Sequence, residues 1–313
     1  MPELQVKPIA PSHLHIPFDW AREEGWNPGL HDETSFSLVD PMGFIGGYLN
    51  DELVATISAM RYNEHFGFLG FYIVSPVHRG KGYGLKVWNA GIDHLKDLPC
   101  VGLDGVLEQT ANYQKSGFTF VHKNCRYEGR AHQLQASTSS ELTEGGFTEG
   151  GCTDGRSING RSTNDLSTDE CLQPLSEVAF ETLIGFDAQH FPTHRVPFLQ
   201  SWVTQAGHHG LAIMRAEQMC AYGIIRACSQ GHKIGPLFAQ TEVQARTLIA
   251  ALCASLESDE LVYLDPPATN LAAIHLVLSL GMEMVFETAR MYKGQIPHLP
   301  VDHIYGITSF ELG

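Results

Sequence analysis

Six consecutive residues, Arg79-Gly80-Lys81-Gly82-Tyr83-Gly84, combine three glycines with two full positive charges. An apolar run from Phe66 to Val74 precedes them, and a helix-like spacing of Leu85, Trp88, Ile92 and Leu95 follows. A strand end, then glycines, then a helix start is a geometry for holding an anion. Glycines let backbone N–H groups converge, and the helix N-terminus contributes about half a positive charge. Arg79 and Lys81 strengthen the field, so the ligand expected here carries phosphate. The stretch is not a Walker loop, because GxxxxGKS/T is missing. Nor is it a dinucleotide fingerprint, because Leu85 stands where GxGxxG needs its third glycine. Taken alone, such a turn serves equally well as a tight connection.

The elements that must position this turn recur along the chain. Further strand candidates lie at 43–49, 53–61 and 100–106, and again at 211–215, 220–228 and 261–264. SGFTFVHKNCR (116–126) matches LGMEMVFETAR (280–290) at an offset of 164 residues, with Gly117 on Gly281 and Arg126 on Arg290. Each match begins at a helix-ending glycine and continues as an alternating strand. Strands and helices mixed in this way predict an α/β (α+β) unit present twice. Between the copies, residues 131–171 are dominated by Gly, Ser, Thr and acids. Such a composition buries too little surface to offset its ordering entropy and predicts a flexible linker. The expected division is therefore 1–130, 131–171 and 172–313. The closing run, HIYGITSFELG, is apolar and is expected to pair into a sheet and to cross to the N-terminal half.

Two motifs carry a resemblance. Residues 79–84 fit Q/R-x-x-G-x-G/A, and one helix and one strand later Tyr113-Gln114-Lys115-Ser116-Gly117-Phe118 fits Y-x-K-x-G-F. Together they resemble the GNAT superfamily of acyl-CoA-dependent N-acyltransferases, over about residues 15 to 130. The whole resembles bacterial tandem GNAT proteins, which implies two GNAT folds, each a mixed central sheet flanked by helices. The resemblance implies that the turn cradles the pyrophosphate of coenzyme A. It also implies that the end of the preceding strand splays from its neighbour and hydrogen-bonds the pantetheine arm. The acetyl-CoA contacts it assigns are Tyr72, Ile73, Val74, Arg79, Gly80, Lys81, Gly82, Tyr83 and Gly84. At the same offset, Arg79, Gly82 and Gly84 face Val243, Arg246 and Leu248, and Tyr113 faces Val277. The second half thus reads as a decayed copy, although Asn270 and Ala273 keep the family's N-x-x-A where the first half has Val106 and Gln109.

The chemistry implied is acyl transfer from a thioester to an amine. An amine with a pKa near 10.4, if lysine-like, must first lose a proton, an oxyanion must be stabilised and a thiolate neutralised. Backbone N–H groups near Ile73 and Val74 are the candidate oxyanion donors, and Tyr113 is the candidate proton donor to sulfur. The alternative for Tyr113 is a core aromatic on a helix. Histone-modifying relatives carry a Glu where this chain has Phe68, so Glu64, His65, Asp104, Glu108 or a water chain remain as bases. The turn at 25–29, GWNPG, falls between the first two helices. In the family that loop borders the acceptor pocket, making Trp26 and Asn27 candidate substrate contacts; a rigid packed turn is the alternative. The second half is expected to supply part of the pocket, through His190, His194 or the closing run near Tyr305.

A formal charge of −15 argues against a nucleic-acid partner. No stretch is apolar enough over the roughly 18 residues of a membrane span, and the first residues show no apolar signal core. Seven cysteines without a CxxC pair predict reduced thiols in a cytoplasm. Sixteen histidines lack metal-ligand spacing, so no metal is expected. The function expected is an acetyl-CoA-dependent N-acetyltransferase acting on a small-molecule amine by direct attack in a ternary complex. An acyl-CoA sensor without turnover is the alternative, and a protein-modifying acetyltransferase is a third reading.

Overall fold

The computed structural model describes residues 3–136 and 166–313. The alternating runs become strands, and each half repeats one order of elements. In the first half these are β1 (Gln5–Pro8), α1 (His15–Glu23), α2 (Asp32–Phe36), β2 (Phe44–Leu49), β3 (Glu52–Arg61), β4 (Phe66–Val74), α3 (Tyr83–His94), β5 (Cys100–Val106), α4 (Thr110–Lys115) and β6 (Thr119–Arg130). A short helix, α5 (Ala131–Ala136), follows. In the second half come β7 (Glu170–Pro174), α6 (Phe180–His190), α7 (Val196–Thr204), β8 (His208–Arg215), β9 (Gln218–Ala227), β10 (His232–Ala239), α8 (Glu242–Leu252), β11 (Leu261–Leu264), α9 (Leu271–Ser279), β12 (Glu283–Gly294) and an added β13 (Ile304–Gly306). Of the expected linker, 137–165 lies outside the described residues; its two ends begin and finish in α5 and β7.

Gly117 and Gly281, the glycines that open the repeat match, have φ of +90° and +72° and stop α4 and α9. The strands that follow them exchange places. Among the described residues the sheet runs β1-β2-β3-β4-β5-β12-β6-β11-β10-β9-β8-β7, with β13 on β10. β12, from the second half, therefore lies against β5, and β6, from the first half, lies against β11. The exchanged strands pair with each other antiparallel between them. Each half's sheet is completed by the other half's strand.

Matched buried ion pairs hold the exchange. Arg126 on β6 forks onto Asp265 just beyond β11 at 2.8 and 2.7 Å, and Arg290 on β12 forks onto Asp104 on β5 at 2.8 and 2.6 Å. All four side chains are at most 6% exposed. Bidentate geometry is what lets such pairs offset their desolvation. The exchange also moves core residues: Ala289 and Met291 pack beneath α3 with Trp88 and Leu103, while Cys125 and Tyr127 join the core under α8. A third core joins the faces of the two halves, where the Phe36 and Trp202 rings stack 5.9 Å apart.

Candidate active site

β4 and β5 run parallel and stay paired only from Phe66↔Cys100 to Leu69↔Leu103. Beyond Leu69 they part. One extra residue on β4 opposite β3, between Gly70 and Ile73, makes a bulge, and Phe71 within it has a φ of +44°. A cavity of about 430 Å³ opens in the wedge, lined by both strands, by Arg79 and by Tyr113. Ser75 N–H donates to Val54 on β3, so alternation along the strand turns the N–H of Val74 toward the wedge and that of Ile73 toward β3. Tyr72 lines the same wedge, with its ring on Trp88.

The glycine turn lies at the mouth of this wedge. Gly80 and Gly82 have φ of +74° and +80°, and a Cβ at either would meet no atom within 4 Å. These two glycines therefore supply left-handed backbone beside free space, as a cradle for a bulky anion requires. Gly82 is the N-cap of α3 and offers no side-chain cap, so the first N–H groups of the helix remain available. Gly84 has a different role: a Cβ there would lie 2.7 Å from the Tyr72 hydroxyl. Arg79 is fixed from two sides, donating Nε to the Val74 carbonyl at 2.9 Å and pairing with Glu24. Lys81 donates to Val77 O at 2.9 Å and is exposed. Tyr83 is half-buried over the helix start.

Tyr113 sits on α4, 8% exposed, on the cavity wall. Its ring packs against Gly105, where a Cβ would approach to 2.1 Å, and lies 5.4 Å from the Trp88 ring. Burial, with Tyr72 nearby, pushes its phenol far above the usual range, so it stays protonated at neutral pH. Its hydroxyl has no hydrogen-bond partner among the described residues. The arrangement is a buried, uncommitted O–H facing a cavity, which is what donating a proton to a leaving group requires.

On the acceptor side the sequence expectations separate. Trp26 lines the cavity and its carbonyl accepts from Arg126 at 2.7 Å. Asn27 does not line it: its amide is taken up by the backbone of Gln230, at 2.9 and 3.1 Å, and its carbonyl accepts from Lys233 at 2.9 Å. Asn27 therefore clamps the loop to the second half. Glu64 and His65 pair with each other in solvent, and Glu108 is exposed. Asp104 reaches the cavity, yet Arg290 and Asn124 occupy its oxygens. Phe68 is wholly buried against the Arg290 guanidinium. His190 is buried on Phe238, and His194 is exposed; neither lines the cavity.

The closing run does reach it, beyond Tyr305, which is itself buried in the second half's core. Phe310 and Glu311 line the cavity, and the Glu311 carbonyl lies where a Cβ on Gly70 would approach to 2.2 Å. Glu311 is 2% exposed, and neither of its carboxylate oxygens has a hydrogen-bond partner. Two signals in the sequence pointed here unread: a lone acid in an apolar terminal run, and a glycine inside a strand.

In the second half the corresponding wedge is closed. β10 and β11 pair only from His232↔Val262 to Ile234↔Leu264, and β13 then takes the vacant edge, pairing Leu237 with Gly306 and Phe238 with Ile304. Asn270 caps α9 and donates to the Val301, Asp302 and Ile304 carbonyls, so the N-x-x-A motif here holds the closing run. Only residues 240–241 separate β10 from α8, against 75–82 between β4 and α3. The fixed offset of 164 therefore slips here, and Val243, Arg246 and Leu248 lie inside α8 rather than in a loop. Thr241 and Gln244 form a capping box that satisfies the α8 N-terminus internally. Among the described residues no helix is long and apolar enough to cross a membrane, and no cluster of side chains has metal-site geometry.

Comparison with known proteins finds the same family in both halves. Residues 11–118 match the acetyltransferase (GNAT) family, and residues 183–306 match an acetyltransferase (GNAT) domain. The holothin acyltransferase of Pseudoalteromonas sp. (strain SANK 73390) is 30% identical over 307 residues, covering 98% of this chain and 94% of that protein. Among solved structures, a putative acetyltransferase from Pyrococcus horikoshii aligns with a TM-score of 0.74 at 18% identity, over 99% of this chain and 96% of its own. A tandem GNAT protein from the clavulanic acid biosynthesis pathway aligns at 0.61 and 10% identity, over 95% of this chain and all of its own.

Proposed function

The chain belongs to the GNAT family of acyltransferases, and from that premise we propose that it moves an acetyl group from acetyl-CoA to a primary amine of a small molecule, at one site in the N-terminal half. The observation that carries the reading is the β4–β5 wedge, whose cavity is lined both by Arg79, the first residue of the open glycine turn, and by a buried, uncommitted phenol. Gly80, Gly82 and the uncapped start of α3 hold the pyrophosphate, with Arg79 and Lys81 adding charge. In this reading the Val74 N–H, turned toward the wedge, stabilises the developing oxyanion, and Tyr113 gives its proton to the departing sulfur. Trp26 borders the acceptor.

The test is release of free thiol from acetyl-CoA with a panel of primary amines, beside calorimetric titration of acetyl-CoA. One site per chain is expected, and Tyr113→Phe is expected to lower kcat by about 10²-fold or more with little change in acetyl-CoA affinity. Binding without turnover for any amine would leave a sensor rather than an enzyme. Unchanged turnover in Tyr113→Phe would return Tyr113 to a packing role.

A further inference from the structure

We propose that the carboxylate of Glu311, a residue that the chain's closing run brings to the wall of the first half's cavity, takes the proton from the acceptor nitrogen; the assignment rests on the acyl-transfer reading above. The acceptor class it selects is an amine that is cationic in solution. The general bases suggested by sequence are committed or exposed, whereas Glu311 is buried with both oxygens unpartnered. A buried acid without a partner is costly, and such costs concentrate where a ligand completes the set. Its backbone is held in place: Tyr62 donates to the Leu312 carbonyl at 3.0 Å, Ile307 N–H to the Asp265 carbonyl at 3.0 Å, and Arg126 lies over the Phe310 ring at 4.6 Å. Gly70 admits the segment, since any Cβ there would strike the Glu311 carbonyl.

The charged groups around Glu311 are Lys233 on β10, Arg126 on β6 and Asp32 on α2. The first donates to Asn27 O, the second forks onto Asp265, and the third pairs with Arg226. Burial pushes the Glu311 carboxyl above the usual glutamate range, while Lys233 and Arg126 oppose that rise. A base of raised pKa accepts a proton more readily than an exposed glutamate. The ammonium first gives one proton to Glu311, which frees the nitrogen lone pair to form the C–N bond while the C–S electron pair goes to sulfur. The second N–H proton, acidic once the nitrogen is acylated, leaves to solvent, and the Tyr113 proton goes to the thiolate. Solvent then carries the proton from Glu311 back to Tyr113.

The test compares full-length protein with Glu311→Gln, which keeps the volume and removes the base. Two probe amines are used: benzylamine, a cation at neutral pH, and aniline, already neutral there. Expected is a loss of about 10²-fold or more in kcat for benzylamine, a much smaller loss for aniline, and an unchanged KM for acetyl-CoA. The wild-type kcat/KM for benzylamine should rise with pH through a limb above the ordinary glutamate range, and the variant should lack that limb. Equal rates in the two proteins overturn the assignment, as does an equal loss on both amines, which marks a packing role. A wild-type protein that binds acetyl-CoA yet acetylates neither amine also overturns it. Failure to bind acetyl-CoA overturns the acyl-transfer reading itself.

Discussion

The wedge between β4 and β5 and the wedge between β10 and β11 are the same device put to different ends. In both, a parallel pair separates after a few residues and leaves strand edges with unmet backbone groups. In the second half β13 answers that demand from within the chain, and a capping box closes the neighbouring helix. In the first half no strand among the described residues takes the parted edge, the helix start is uncapped and the loop before it is longer. The difference teaches that splayed strands do not by themselves make a site. What matters is whether the edge and the helix end are left for a ligand or are already satisfied.

Three perturbations break or sharpen the comparison. The largest effect is expected where the halves are alike. Arg126→Ala and Arg290→Ala each strand a buried aspartate, and each should lower unfolding free energy by about 3–5 kcal/mol in urea denaturation. A cost confined to one of them would show that the matched pairs are alike in geometry only. Next comes the cradle. Gly82→Glu removes left-handed freedom and sets an anion against phosphate, so acetyl-CoA affinity by calorimetry should fall by about 10- to 100-fold, the loss of one charged hydrogen bond. Arg246→Glu, which the fixed offset of 164 sets against Gly82 but which lies inside α8, should leave affinity unchanged. The smallest effect belongs to the α8 cap. Thr241→Ala should cost about 1 kcal/mol of stability and nothing in cofactor binding.

Much of the cradle was legible in residue types. Glycines at 80 and 82 are needed where φ is positive, and Tyr113 lies where the motif places it. The paired Arg126 and Arg290 were visible as a repeat, but their partners were not. β6 and β12 carry similar alternation, so either pattern suits either sheet, and only the three-dimensional pairing separates a strand kept from a strand exchanged. Asn27 misled because a polar residue beside a pocket and one clamping an interface look alike in sequence. The place of Glu311 beside the cavity was not legible, because it depends on a contact with Gly70, far away in the chain.

The exchange of β6 and β12 has a consequence for how the protein is born. Asp104 leaves the ribosome 186 residues before Arg290. At about 5–20 residues per second, roughly 10 to 40 seconds separate the two. Throughout that interval β5 lacks the strand that borders it in the finished sheet. The half that holds the cavity is made first and finished last. A nascent chain halted before residue 283 has neither β12 nor the closing run, and therefore no complete wall around the cavity.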